Sequence, residues 1–157
     1  MSTPALRLAN HLRRTIDGPM WHGPALADLV KQVSAREAMS RPIPGVHSIA
    51  ELVVHITAWA TIARQRLAGT APPSPTPEED WPSAAGLDDE TAWTEAIAAM
   101  RESYHALAGD VKHVDDATIT GPVPGRDHSV YAMLHGVIEH GTYHGGQIAL
   151  LIRAMGK

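Results

Sequence analysis

The chain has 157 residues, of which 44% are hydrophobic and 19% charged, with a formal net charge of −4 at pH 7 and no cysteine. That length fits a single domain with a real core, and the acidic balance argues against a nucleic-acid binder that works through a basic face. The lack of cysteine removes disulfides, thiolate metal sites and a cysteine nucleophile, and without an apolar span or signal core a cytoplasmic protein with no membrane partner is expected.

Residues 4–17 and 24–34 read as an N-terminal helical region, broken around Gly18-Pro19-Met20-Trp21-His22-Gly23-Pro24. A second helix is predicted over 49–68. Ser48 and Glu51 have the spacing of a capping box at its start, and Gly69 with Pro72 beyond supplies its stop. Residues 69–88, carrying Pro72, Pro73, Pro75, Pro77 and Pro82, read as a stiff extended connection. A third helix follows over 89–113 and a fourth over 130–154, the last opening at Ser129, an N-cap type. No alternating strand pattern interrupts them. The expectation is an all-α protein, one four-helix-bundle domain over 1–157 with a long Pro-rich crossover between the second and third helices.

The chain carries ten histidines. At about 100° per residue, a helical wheel separates those facing a core from those facing water. In the fourth helix Val130, Met133, Leu134, Val137, Ile148, Leu151, Ile152 and Met155 share one arc, and His140 and His144 fall inside it as stacked neighbours. His135 falls on the polar side with Glu139, Thr142 and Arg153. In the second helix His55 lies at the edge of the apolar arc, between Trp59 and Ile62. His11, His105, His113 and His135 read as surface residues, and His47 and His128 as parts of the turns ahead of two N-caps. His22, at the helix break, is a candidate to re-enter a pocket.

Three inward imidazoles are costly to bury unless each ring nitrogen has a partner. A divalent metal would satisfy all three at once, and bundle cores are places where facing helices build such sites. Neutral imidazoles suit Zn, Ni, Cu or Fe. The plain alternative is a set of core histidines satisfied by protein groups. No Ser-His-Asp spacing, phosphate-cradling glycine loop or H-E-x-x-H motif competes for the assignment.

The string His140-Gly-Thr-Tyr-His144-Gly-Gly-Gln147-Ile148, preceded by His55-Ile-Thr-Ala-Trp59, resembles the DinB-like (DinB/YfiT) superfamily. Trp21-His22-Gly23-Pro24, Arg41-Pro-Ile-Pro-Gly-Val-His47-Ser48 and Glu79-Asp80-Trp81-Pro82 extend the resemblance along nearly the whole chain. It implies an up-down-down-up four-helix bundle, often a homodimer, with a divalent metal held by three histidines. Carried over residue by residue, the ligands are His55, His140 and His144, with His22, Trp59 and Gln147 as candidate pocket residues. The expected ion is Zn or Ni first, then Fe, Mn or Cu. The resemblance also implies a small-molecule substrate and a low-molecular-weight thiol cosubstrate in S-transferase-type chemistry. Metal-dependent hydrolysis and a non-enzymatic, stress-related metal-binding bundle are the alternatives. A metal with an open position can acidify a bound water or favour a thiolate, and this sequence contains no recognisable thiol-binding pocket.

Overall fold

The computed structural model describes residues 3–70 and 74–157. Helix α1 (Pro4–Asp17) starts where the Thr3 side chain accepts from the Leu6 N–H, and it stops at Gly18, whose φ of 78° is the glycine-favouring left-handed range. Its buried residues Ala5, Leu8, Ala9, Leu12, Thr15 and Ile16 recur every three to four positions, so one stripe faces inward.

The predicted helix over 24–34 is corrected. The chain forms α2 (Leu26–Val30) and then a separate α3 (Ala35–Met39). Ser34 and Glu37 build a capping box that starts α3. The carbonyl of Val33, just before it, accepts from the Trp93 indole N–H at 2.8 Å instead of continuing a helical ladder.

Helix α4 (Ile49–Leu67) has the expected Ser48–Glu51 capping box, and Gly69 follows it with φ of 71°. The connection that follows is a second correction. It is not extended throughout: α5 (Pro77–Asp80) forms within it, nucleated by a Thr76–Glu79 capping box with Pro77 at the first turn. Pro72 and Pro73 lie outside the described residues. Helix α6 (Glu90–Val111) is capped by Asp89, and the short α7 (Asp116–Thr120) by Asp115; the sequence reading has no counterpart for α7. Helix α8 (Val130–Ala154) opens on Ser129, whose hydroxyl accepts from the Ala132 N–H.

Among the described residues there is no strand, and no helix is long and apolar enough to cross a membrane. Helix α1 packs against α6 and α8, and α4 packs against the same two, so the four long helices enclose a shared core. Trp93, Tyr104, Leu12, Ile16, Ile56, Met100, Leu134 and Ile148 are fully buried there.

The glycines of α8 divide by what they touch. Gly141 and Gly145 are buried. A Cβ on Gly141 would run into the Tyr104 hydroxyl and come within 3.0 Å of Thr15 Cγ2, and one on Gly145 would meet Leu26 Cδ2 at 3.4 Å. The close approach that these glycines permit is therefore to α1, α2 and α6 of the same chain. Gly146 faces open space.

Substitutions separate the two situations. Gly146→Ala removes a glycine from an open helix position and should stabilise the protein by about 0.5–1 kcal/mol. Gly141→Ala should destabilise it by about 1–2 kcal/mol, because the overpacked Tyr104 must give up its 3.2 Å hydrogen bond to the Val137 carbonyl. Urea denaturation checks both, and adding Tyr104→Phe should recover part of the Gly141→Ala loss.

Candidate metal centre

The three histidines selected by the helical wheel converge. His55 projects from α4, while His140 and His144 project one turn apart from α8. His140 Nε2 lies 2.9 Å from His55 Nε2 and 3.0 Å from His144 Nε2. His55 and His144 are only 5% and 6% exposed, and His140 is half-buried.

The opposite ring nitrogens determine what those Nε2 atoms can do. His55 Nδ1 is 2.6 Å from the Asp80 carbonyl, an acceptor, so Nδ1 carries the hydrogen and donates it. His144 Nδ1 likewise donates to Gln147 Oε1 at 2.6 Å, while the Gln147 amide donates to the Tyr143 hydroxyl. Both neutral rings therefore turn an Nε2 lone pair toward His140. A single Nε2 hydrogen on His140 can point well at one of them, which leaves the other lone pair facing its neighbours. A shared cation resolves the conflict, and outward hydrogen bonds of this kind orient metal-ligating histidines in general. Nitrogens bound tetrahedrally at about 2.0–2.1 Å lie about 3.3–3.4 Å apart, so the two pairs through His140 need to open by only a few tenths of an ångström, and the three ligand atoms all lie within 4.8 Å of one another. The donor set thus fits a divalent ion that accepts imidazole nitrogen.

Electrostatics also favours the ligating form. Burial lowers the pKa of all three histidines. For His140, burial is reinforced by the neighbouring His144 and His55, and its pKa falls to about 3. At neutral pH the rings are uncharged.

The crossover contributes more than the sequence reading assigns to it. At the end of α5, the Asp80 carbonyl holds His55 and the Asp80 carboxylate accepts from Trp59 Nε1 at 2.7 Å. Trp81 then lies flat between two imidazoles, 3.7 Å from His55 on one face and 3.7 Å from His47 on the other. Asp80, Trp81 and His47 are therefore site residues that the sequence reading missed. Glu79-Asp80-Trp81-Pro82 entered only as a stretch of family resemblance, and His47 only as a turn residue. Trp59 stands 6.0 Å from the His140 ring, and Gln147 braces His144. His22 is placed elsewhere: it is exposed, and it lines a different cleft with Thr15, Gly145 and Arg153, on the glycine face of α8.

The depressed pKa of His140 gives a pH signature in chelator-treated protein. Unfolded histidine titrates near 6.5 and folded His140 at about 3, so between these values the unfolded chain binds more protons. The associated stability is present above pH 6.5 and is lost progressively as pH falls toward 3. His140→Gln should flatten this part of the curve between pH 7 and 5 in urea titrations. Parallel curves for wild type and variant across that window would contradict the assignment.

The sequence matches the DinB superfamily over residues 21–148. No curated protein and no solved structure matches the chain. The matched span runs from the helix break at Trp21 through the crossover to Ile148 and takes in all three histidines; this chain belongs to the DinB superfamily.

Proposed function

We propose that the protein is a divalent-metal-dependent enzyme in which His55, His140 and His144 hold the ion and a low-molecular-weight thiol is transferred to a small-molecule electrophile. The observation that carries this reading is the convergence of three Nε2 atoms, two of them fixed as acceptors from outside. When bound, the ion supplies one thing: it lowers the pKa of a thiol and keeps it as thiolate at neutral pH. In the net reaction the thiol gives up its proton, its sulfur bonds to the electrophilic carbon, and the leaving group departs with its bonding electrons and takes up a proton.

The protein's own residues hold the geometry. Asp80 and Gln147 keep His55 and His144 in one tautomer, and Trp81 covers the His55 ring and limits water there. A cleft of about 320 Å³ adjoins His140 and is walled mainly by apolar side chains with Trp59. That volume suits a small ligand. No carboxylate lines this cleft among the described residues, and the Asp80 carboxylate is committed to Trp59. A three-histidine ion acidifies water without a carboxylate base, so the preference for thiol transfer over hydrolysis rests on the family resemblance and on the mainly apolar lining of the cleft, which suits an organic ligand.

Metal analysis of protein purified without an affinity tag tests the reading first. Stoichiometric ion is expected in wild type and in His135→Ala, and loss of it in His140→Ala. Thiol consumption should then be screened with electrophiles, using loaded wild type against His140→Ala. Equal metal content in wild type and His140→Ala would overturn the proposal.

We further propose a homodimer formed through the outer face of α8, where Tyr143 and Leu150 are 64% and 56% exposed. Sedimentation at micromolar concentration should give twice the chain mass; a single 16.8 kDa species would refute it.

A further inference from the structure

Among the described residues, two buried side-chain polar atoms have no hydrogen-bond partner: Arg66 Nε and His140 Nδ1. Both residues line the same cleft of about 320 Å³ beside the histidine centre. Arg66 sits in the last turn of α4, with its guanidinium carbon 5.3 Å from the centre of the Trp59 ring. Three other arginines end on carboxylates, Arg41 on Glu51, Arg64 on Asp110 and Arg101 on Asp17, and Arg14 ends on the Pro19 carbonyl. Arg66 pairs with no acidic group among the described residues, and Arg126 lies close enough to disfavour its charge further. A partly desolvated guanidinium beside a second cation and without a counterion is only partly compensated by the Trp59 ring face.

We propose that this cleft binds a monocarboxylate with an apolar body. The carboxylate pairs with the Arg66 guanidinium, the body lies along Ala63, Met133 and Val137, and the far end reaches the His140 edge of the histidine centre. A single planar fork matches a carboxylate, whereas a phosphate dianion would leave excess charge against apolar walls. The apolar lining suits an electrophile better than a hydrophilic thiol, so the acid is the electrophile of the proposed transfer. That role rests on the proposed function; the binding site itself rests on Arg66 and the cleft.

Isothermal titration with hexanoate, hexanamide and hexylphosphonate tests the site, using metal-loaded and chelator-treated protein side by side. Hexanoate should bind about tenfold tighter than hexanamide and tighter than hexylphosphonate. Arg66→Gln should remove that preference and Arg66→Lys should retain part of it. The preference should persist after chelation. If Arg66-dependent hexanoate binding survives in a protein that metal analysis shows takes up no ion, the site stands and the transferase reading falls. The proposal is overturned if wild type fails to bind hexanoate at millimolar concentration, if hexanoate and hexanamide bind alike, or if hexylphosphonate binds tighter. It is equally overturned if Arg66→Gln binds hexanoate as wild type does, or if binding vanishes on chelation, because the acid would then sit on the ion.

Discussion

An imidazole in a protein interior is costly wherever a ring nitrogen lacks a partner, and here two of three rings have their hydrogens directed outward to acceptors. The Asp80 carbonyl and Gln147 Oε1 accept those hydrogens, which leaves the Nε2 lone pairs of His55 and His144 both facing His140 Nε2 at hydrogen-bond distance. The surrounding structure follows from maintaining that arrangement. Helices α4 and α8 must be neighbours, the crossover must fold back to bring Asp80 to His55, and Trp81 must cover the ring that Asp80 holds. Desolvation then favours the uncharged rings that a cation requires.

Helix α8 does two jobs with one register. Each inward histidine is followed at once by a packing glycine, His140 by Gly141 and His144 by Gly145. A step of one residue turns the helix by about 100°, so the histidines face α4 while the glycines admit Tyr104, Thr15 and Leu26. Sliding α8 by one residue would spoil both faces together. The tight glycine contacts therefore fix where the imidazoles stand. Gly146, which meets nothing, has no such duty.

Much of this is legible in the residues. Capping chemistry at Ser48 and Ser129 places the starts of α4 and α8, and 3.6-residue periodicity identifies His55, His140 and His144 as inward while setting His135 aside. The crossover was not legible in the same way, because proline density suggests stiffness and says nothing about direction. The Thr76–Glu79 capping box is visible in the sequence, but a four-residue helix has no apolar period to announce it. The roles of Asp80 and Trp81 depend on tertiary placement: one acts through a main-chain carbonyl, which no side-chain pattern encodes, and the other through stacking with rings far along the chain. The break at Val33 is similar, since the indole that takes its carbonyl comes from position 93.

The histidine cluster joins positions 85 residues apart in sequence. An ion held there would act as a removable cross-link, and the loop it closes contains the whole crossover and all of α6. Helix α6 contributes no ligand, yet it packs between α1 and α4 inside that closed loop. Openings that expose its amides by separating α4 from α8 would have to break metal–nitrogen bonds as well as side-chain packing. Occupancy of the centre would thus slow amide hydrogen exchange far from the histidines, in a helix that never touches the ion.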